Sequence, residues 1–361
     1  MIAYLDRRRT GALCLGIAVA FLVIGWWPFA PLPRNRVEWL AGRPGLGFRP
    51  PGIAYDAHPL PWSPGIGTTG FTIELQVEAG LEPRSGTPHL LTIHDGALPS
   101  RLVLCQWKSE LILRVPDPAN PRGYREAAAE VLPPHPRVIT VTCSAAGTTF
   151  FADGRPVVRY PRFIVAHDAL RGRLLLGDAA NGKCAWTGKM FGVALINRAL
   201  DAGEVAARHR AWVARETTVL RSERGLMALY LFEDGPGERT MDLAGAHHQL
   251  EIPARYEVPH QTMFEFPRDL GVMLRTDLRD SIVNLLGFVP FGFLVFHHRR
   301  LARPDHLLAA ATFAVIAGGL LSLVIELGQV WLPTRVSSAT DLILNTIGTG
   351  LGVLMAVGTK S

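Results

Sequence analysis

Residues 307–332 read LLAAATFAVIAGGLLSLVIELGQVWL, an apolar run that is interrupted only near its end by Glu326 and Gln329. A helix that crosses the hydrocarbon core of a bilayer needs about 20 apolar residues. Three other blocks of this kind are found at residues 11–30, 281–296 and 342–358. The sequence therefore predicts an α-helical bundle of four membrane spans.

The composition of the whole chain agrees with a membrane protein. Of its 361 residues 48% are hydrophobic, the mean hydropathy is +0.19, and 19% are charged, against about 25% charged residues in an average soluble domain. These values argue against a disordered chain, a disulfide scaffold and a coiled coil. The formal charge of +6 comes from dispersed arginines, and no nucleic-acid motif is present, so we expect no nucleic-acid partner.

Basic residues predict how the four spans are oriented. They flank the apolar blocks at Arg7–Arg9, Arg299, Arg300, Arg303 and Lys360. Cytoplasmic flanks of spans are enriched in Lys and Arg. One topology satisfies every basic flank: both termini lie in the cytoplasm, and the long segment between the first two spans is extracytoplasmic.

This topology divides the chain into three parts. We expect a cytoplasmic N-terminus with the first span at 1–33, an extracytoplasmic domain at 34–266, and three further spans at 267–361. The first block has a second interpretation as a cleaved signal peptide, whose apolar core is about 7–15 residues long. Its greater length and its aromatic end at Trp26, Trp27 and Phe29 favour a retained anchor.

The extracytoplasmic segment has the alternating pattern of β-strands. Strands are predicted at 71–77, 101–105, 110–115, 138–142, 173–177 and 190–196. Asp153–Gly154 lies between two β-rich runs, which predicts a tight hairpin. Asp201 and Glu204 begin a helix in the pattern of a capping box. Many short strands at this spacing predict an all-β sandwich.

Three cysteines lie in the predicted external segment: Cys105, Cys143 and Cys184. In an oxidising compartment one disulfide with one leftover thiol is an open alternative, and the sequence does not pair them. Cys14 lies inside the first span, where we expect it to serve packing.

Three runs of this segment resemble a known family. VITVTCSAAGTTFFADGRPV (138–157) and LRGRLLLGDAANGKCAWTGKMFGVALINRALDAGEV (170–205) are similar to laminin-G-like, concanavalin A-like jelly rolls, as is GLMALYLFEDGPGERTMDLAG (225–245). The resemblance implies a two-sheet jelly roll that binds a glycan, calcium or a protein, or that acts as a spacer. The fold alone does not choose between these roles.

Candidate ligand-binding residues of the jelly roll each have a structural alternative. Trp62, Trp107, Trp186 and Trp212 are candidates for stacking on sugars, but aromatic residues also dominate sandwich cores. Asp153 and Asp178 are candidates for calcium, but aspartates are common in turns. Paired glutamates on one strand are not visible, which argues against glycoside hydrolysis. We predict no metal site and no cofactor.

The polar residues of the last 80 residues form the candidate site. They are Asp280, Asn284, Glu326, Gln329, Arg335, Asp341 and Asn345. In the predicted topology all seven fall toward the outer leaflet, with Arg335 as the expected counter-ion of Glu326 or Asp341. Two interpretations stay open: a structural network between helices, or a site for a polar head group, since ionisable residues within membranes tend to mark function.

The same residues carry a second resemblance. RDSIVNLLGFVPFGFL (279–294) and IELGQVWLPTRVSSATDLILNTIGTGLG (325–352) are similar to the VanZ-like family of bacterial membrane proteins. The resemblance implies a bacterial plasma-membrane protein in a cell-envelope process, because the founding member is associated with reduced susceptibility to the lipoglycopeptide teicoplanin. Pro290 is expected to kink the second span or to break it into two halves. Gly348 and Gly352 predict close helix packing.

These observations support one leading function and two alternatives. The leading hypothesis is a VanZ-like envelope protein that contacts membrane lipids through an outer-leaflet polar site and an envelope glycan or protein through its jelly roll. The first alternative is an adhesion or binding module whose helices are only an anchor. The second is an enzyme that processes lipid head groups, although no nucleophile–base pair is visible.

Overall fold

The chain folds, in this computed structural model, into two compact units: residues 1–31 with 261–361, and residues 32–260. The described residues are 6–31, 33–61, 70–80, 86–132, 134–245, 248–260, 263–264, 278–332, 335 and 337–358, and only the backbone is described at 278–280. The domain boundary predicted between residues 266 and 267 lies outside these ranges.

All four predicted spans are helices. Within the described residues the α-helices are α1 (Arg7–Trp26), α2 (Ala202–Ala214), α3 (Thr217–Arg221), α4 (Leu278–Ala302), α5 (Leu307–Gln329) and α6 (Ala339–Gly358), and a 3₁₀ helix spans His167–Leu170. Of these, α1, α4, α5 and α6 are long and apolar enough to cross a membrane. The prediction of a multi-pass α-helical membrane protein is confirmed at this level.

Side-chain contacts define the directions of the four long helices. Antiparallel packing of α1 with α4 and of α5 with α6 follows from the pairs Gly11–His298, Phe21–Phe288, Gly318–Thr349 and Ser322–Asn345. Parallel packing of α4 with α6 follows from Leu285–Gly348 and Val289–Gly352. The C-terminal ends of α1 and α5 therefore lie at the same end of the bundle as the N-terminal ends of α4 and α6.

Pro290 does not divide the second span. It lies inside α4, which continues through it as one helix, so of the two expected effects, a kink or a break, the break into two halves does not occur. A proline removes one hydrogen bond from the helix interior, and neighbouring helices in a membrane compensate for this loss. Gly292, two residues further on, packs directly against the backbone of Thr349 in α6.

The second unit is a β-sandwich. Its strands are β1 (Val37–Trp39), β2 (Leu46–Phe48), β3 (Ala54–Asp56), β4 (Gly70–Ala79), β5 (His89–His94), β6 (Leu102–Trp107), β7 (Glu110–Pro116), β8 (Tyr124–Glu130), β9 (Arg137–Ser144), β10 (Gly147–Ala152), β11 (Arg155–Tyr160), β12 (Arg173–Leu176), β13 (Gly188–Ile196), β14 (Leu226–Tyr230), β15 (Arg239–Met241) and β16 (Gln249–Glu251). Every strand predicted from the alternating pattern is present.

The described strands form two antiparallel sheets of eight strands each. One sheet has the order β1-β2-β13-β4-β9-β10-β11, with β14 also paired to β13, and the other has the order β15-β16-β3-β12-β5-β6-β7-β8. A single apolar core contains side chains from both sheets, such as Ile73 of β4 and Leu104 of β6. The predicted all-β sandwich of jelly-roll type is confirmed.

Strand β4 shows how the alternation builds this unit. Phe71, Ile73 and Leu75 face the core between the sheets. The side chains between them face the other way, where Glu74 accepts hydrogen bonds from Arg208 of α2. Helix α2 therefore covers the outer face of this sheet. It begins with the predicted capping box of Asp201 and Glu204.

The predicted hairpin at Asp153–Gly154 joins β10 to β11. Both residues have positive φ values, 50° and 76°. A two-residue hairpin with positive φ at both positions is a type I′ turn, which matches the twist of the strands and favours Asn or Asp followed by Gly. The local sequence therefore specifies this turn.

Candidate functional site

Glu326 lies near the end of α5, and its side chain is almost completely buried, with 1% of its surface exposed. The backbone N–H of Ser338 donates a hydrogen bond of 2.6 Å to its Oε2. Ser338 immediately precedes α6, and its hydroxyl accepts a hydrogen bond of 3.3 Å from the N–H of Asp341. The carboxylate therefore lies at the start of α6, where free backbone N–H groups favour an anion.

A second polar contact lies one turn deeper in the bundle. Asn345 of α6 donates from Nδ2 to the hydroxyl of Ser322 on α5, at 2.9 Å. Both side chains are buried. The Oδ1 atom of Asn345 is buried and has no hydrogen-bond partner among the described residues. An amide oxygen in this situation is a hydrogen-bond acceptor available to a further donor.

Gln329 and Arg335 contact the end of α1. Gln329 donates to the carbonyl of Gly25 at 3.1 Å, and the guanidinium of Arg335 donates to the carbonyl of Trp27 from Nε at 2.9 Å and from Nη2 at 2.6 Å. Terminal carbonyls of a helix need such partners. The expected ion pair between Arg335 and Glu326 is not formed, because each group binds a backbone partner instead.

The remaining predicted residues lie at the same end of the bundle where the structure describes them. Asn284 is half-buried on α4, and Asp341 is half-buried in the first turn of α6. The side chain of Asp280 lies outside the described residues. Ser338 is a partner that the sequence reasoning missed. Its signal was the spacing of Ser338 and Asp341 ahead of an apolar run, which is typical of a helix N-cap.

The candidate tryptophans of the sandwich divide into two groups. Trp186 and Trp212 are buried, and their indole N–H groups donate to Gln106 at 2.7 Å and to Glu74 at 2.9 Å. Their role is therefore packing, which was the structural alternative to stacking on sugars. Trp107 ends β6 and is 45% exposed, so its ring is accessible to a ligand. Trp62 lies outside the described residues.

Both calcium candidates are used by turns. Asp153 binds the N–H of Val138 and pairs with Arg137. Asp178 accepts hydrogen bonds from the N–H groups of Ala179 and Cys184 and from the Tyr256 hydroxyl. Burial raises the pKa of Asp178 from 3.8 to about 6.

The cysteines of the sandwich are thiols. Cys105 and Cys143 are buried and Cys184 is half-buried, and none of them is in a disulfide. Burial raises the pKa of Cys105 to about 11 and those of Cys143 and Cys184 to about 12. Such thiols have little thiolate at neutral pH and react slowly.

The sandwich also has an open cleft with a volume of about 640 Å³. It lies along β9, β10 and β11 and beside the segment that leads into α2. Its polar lining consists of Thr142, Ser144, Thr149, Arg159 and Asp201. Its apolar lining includes Phe151 and Val158. A mixture of hydroxyl, charged and apolar groups is typical of sites for small polar ligands.

Four membrane-spanning helices with polar residues at one end, together with a separate β-sandwich, define a multi-pass membrane protein that carries an accessory domain. The VanZ/LLP1 family model matches residues 226–359. This match runs from β14 to the end of the bundle and includes every residue of the polar end from Asp280 to Asn345. The predicted VanZ-like resemblance of the C-terminal helices is thereby confirmed.

Solved structures similar to the chain include three β-rich binding domains. One is described as a "putative carbohydrate binding protein" from Bacteroides ovatus (13% identity, TM-score 0.40, 60% of this chain and 61% of that chain). The others are the receptor binding domain of botulinum neurotoxin type G (10%, 0.39, 50% and 45%) and the binding domain of serotype D (7%, 0.37, 50% and 46%). The chain thus spans about half to three fifths of the length of these structures. No curated protein matches its sequence.

Proposed function

We propose that this chain is a bacterial plasma-membrane protein whose polar end, formed by Glu326, Gln329, Arg335, Asp341 and Asn345, binds the polar head group of a lipid of the outer leaflet. The observation that carries the proposal is the environment of Glu326. Its carboxylate is buried, and its hydrogen bond comes from a backbone N–H rather than from a cation. Placing a charged group in a membrane helix costs about 2.5–3.5 kcal/mol, so such a group needs a partner or a purpose.

The neighbouring groups favour a head group that carries both donors and a phosphate. Glu326 and the unpartnered Oδ1 of Asn345 are acceptors for hydroxyl or amine groups. Arg335 is exposed, and among the described residues its guanidinium uses two N–H groups, both bound to Trp27. Its remaining donors suit a phosphate, which guanidinium groups bind in a planar geometry.

The side of the membrane follows from the distribution of basic residues. The opposite end of the bundle carries Arg7–Arg9 and the segment with Arg299 and Arg300. Basic flanks are enriched on the cytoplasmic side. We therefore assign the polar end to the outer leaflet and the β-sandwich to the outside of the membrane, and we assign both termini to the cytoplasm.

The test compares two single-residue variants, one at the polar end and one control, in cells that lack the gene. Glu326→Gln keeps an oxygen that accepts the hydrogen bond from Ser338 but removes the charge. Asp305→Asn makes the same chemical change in the exposed segment between α4 and α5, at the other end of the bundle. Growth is measured under envelope-targeting antibiotics, lipoglycopeptides included, at equal membrane levels of each protein.

We expect Asp305→Asn to restore the wild-type susceptibility and Glu326→Gln not to restore it. Restoration by both variants would show that Glu326 only holds α5 against α6. That result would leave the structural network as the role of the polar end.

For the sandwich we propose binding of an envelope glycan or protein in the cleft along β9–β11. Its hydroxyl-rich lining supports a glycan, since sugar hydroxyls both donate and accept hydrogen bonds. The alternative in which the helices are only an anchor predicts a different rescue pattern. A variant that lacks residues 34–260 would then fail, while Glu326→Gln would succeed.

A further inference from the structure

Three potential metal ligands meet where β3 ends and β16 begins, in the sandwich sheet that contains both strands. Asp56 is the last residue of β3, His58 follows two residues later, and His248 directly precedes β16. These strands are paired, with Leu250 opposite Asp56. One ligand atom of each of the three residues lies within 4.8 Å of those of the other two.

The distance between two of these atoms matches the spacing of two ligands that bind the same metal ion. Nδ1 of His248 lies 3.5 Å from Oδ1 of Asp56. Ligands at 2.0–2.2 Å from a tetrahedral zinc ion are about 3.3–3.6 Å apart. The His58 and His248 rings are 6.1 Å apart at 78° to each other, so they do not stack face to face. The His58 side chain is exposed.

The carboxylate is held in place by its surroundings. Asp56 is fully buried, and its Oδ2 accepts a hydrogen bond of 3.1 Å from the Tyr230 hydroxyl. Its Oδ1 accepts another of 3.1 Å from the N–H of His58. Hydrogen bonds of this kind orient the ligands of metal sites.

Two buried polar atoms beside this carboxylate lack hydrogen-bond partners among the described residues. They are Nδ1 of His248 and Oδ2 of Asp242. Asp242 is 6% exposed and is linked to His248 through a backbone hydrogen bond of 3.2 Å. Unpartnered buried polar atoms are rare, and an ion bound by Nδ1 of His248 removes the cost of burying that atom.

We propose that Asp56, His58 and His248 bind a divalent transition-metal ion of the Zn²⁺ type. Two imidazoles and one carboxylate suit zinc, whereas calcium prefers 6–8 oxygen ligands. Three protein ligands leave a fourth position for water. The ion joins the last residue of β3 to the residue that precedes β16. The competing explanation is an ion pair of Asp56 with protonated His248.

The test uses the full-length protein in detergent after removal of metals by a chelator. Zn²⁺ or Ca²⁺ is then titrated, and the bound metal and the thermal unfolding temperature are measured. His58→Ala removes an exposed ligand without opening the core. His135→Ala removes another exposed histidine of the sandwich and is the matched control.

We expect saturable binding of one Zn²⁺ per chain at this site, a higher unfolding temperature with Zn²⁺, and no such effect of Ca²⁺. His58→Ala should weaken this binding at least about tenfold, and His135→Ala should leave it unchanged. The metal-free forms of wild type and His58→Ala should unfold at similar temperatures. Zn²⁺ binding that His58→Ala does not weaken, or no saturable binding at all, would overturn the proposal in favour of the ion pair.

Discussion

The backbone N–H of Ser338 and the carboxylate of Glu326 are joined by a hydrogen bond of 2.6 Å. This bond ties the last turns of α5 to the residue that caps α6. It explains why a carboxylate is tolerated in an otherwise apolar helix, because the start of α6 presents unpaired N–H groups and the positive end of the helix dipole. The bond also holds the end of α5 next to the start of α6 across the short connection that joins them.

Close packing between α4 and α6 depends on two glycines. A Cβ at Gly352 would lie 2.0 Å from the carbonyl oxygen of Val289, and a Cβ at Gly348 would lie 2.0 Å from that of Leu285. We expect Gly352→Ala to destabilise the bundle by about 1–3 kcal/mol, because the helices must move apart. Thermal unfolding in detergent, followed by circular dichroism, measures the effect.

Gly350→Ala is the matched control, since a Cβ there meets no atom within 4 Å. It should leave stability unchanged or raise it slightly, because alanine favours helix more than glycine does. Equal destabilisation by both substitutions would mean that the close approach of α4 to Gly352 is not the reason why α6 needs glycine there.

The buried ion pair under α2 should be essential to the sandwich. Arg208, 5% exposed, donates to Glu74 at 2.6 Å, and Trp212 donates to the same oxygen at 2.9 Å. Glu74→Ala removes the closest partner of this buried guanidinium and leaves it only the longer contact of 3.4 Å with Glu223 among the described carboxylates, which we expect to cost about 3–5 kcal/mol. Labelling of the buried thiols Cys105 and Cys143 under increasing denaturant measures unfolding of this unit.

The control for that experiment is Glu38→Ala, which breaks the exposed pair of Glu38 with Arg49. Its cost should be below about 1 kcal/mol, as for other surface ion pairs. The account of α2 is wrong if Glu74→Ala costs no more than this control.

Asp178 should make the stability of the sandwich depend on pH. Its pKa is raised from 3.8 to about 6 by burial, so the folded protein binds a proton more tightly than the unfolded chain. The contribution of this group to the free energy of unfolding is fully present below about pH 4 and is lost as the pH rises through about 6.

Asp178→Asn should remove this part of the pH dependence, up to about 3 kcal/mol between the two ends of the window. Denaturant unfolding at several pH values, followed by labelling of Cys143, compares the slopes of the two proteins. An unchanged slope in Asp178→Asn would contradict the raised pKa.

The thiols of the sandwich should be protected in the folded protein. Burial raises the pKa of Cys105 to about 11 and that of Cys143 to about 12, so neither is expected to react with an alkylating reagent at neutral pH until the unit unfolds. Mass spectrometry after alkylation counts the labelled sites. Rapid labelling of Cys143 in the native protein would show that the sandwich opens more readily than its burial implies.

Local patterns predicted the four long helices and part of the sandwich, but not strands such as β5, β8 and β16. Alternating apolar residues located the strands, the Asp153–Gly154 pair located a hairpin, and 3.6-residue periodicity after Asp201 located α2. These features depend on neighbours in the sequence, so they are visible without the fold.

Contacts between distant segments were not visible in the same way. The sequence suggested Arg335 as the counter-ion of Glu326 or Asp341. In the structure Arg335 binds the carbonyl of Trp27 and does not pair with Glu326. The partner of Arg335 depends on which helix end lies closest to its guanidinium, and charge alone does not determine that partner. Asp56 and His248 likewise lie close together because β3 pairs with β16. No local pattern in the sequence predicts that pairing.

The most direct test of the polar end is the susceptibility to lipoglycopeptides of cells in which Glu326→Gln replaces the wild-type protein at the same membrane level. The head-group site predicts loss of function in this variant, while Asp305→Asn keeps the wild-type phenotype and both proteins unfold at the wild-type temperature in detergent. Wild-type susceptibility in the Glu326→Gln cells would contradict the site and leave Glu326 as a structural link between α5 and α6.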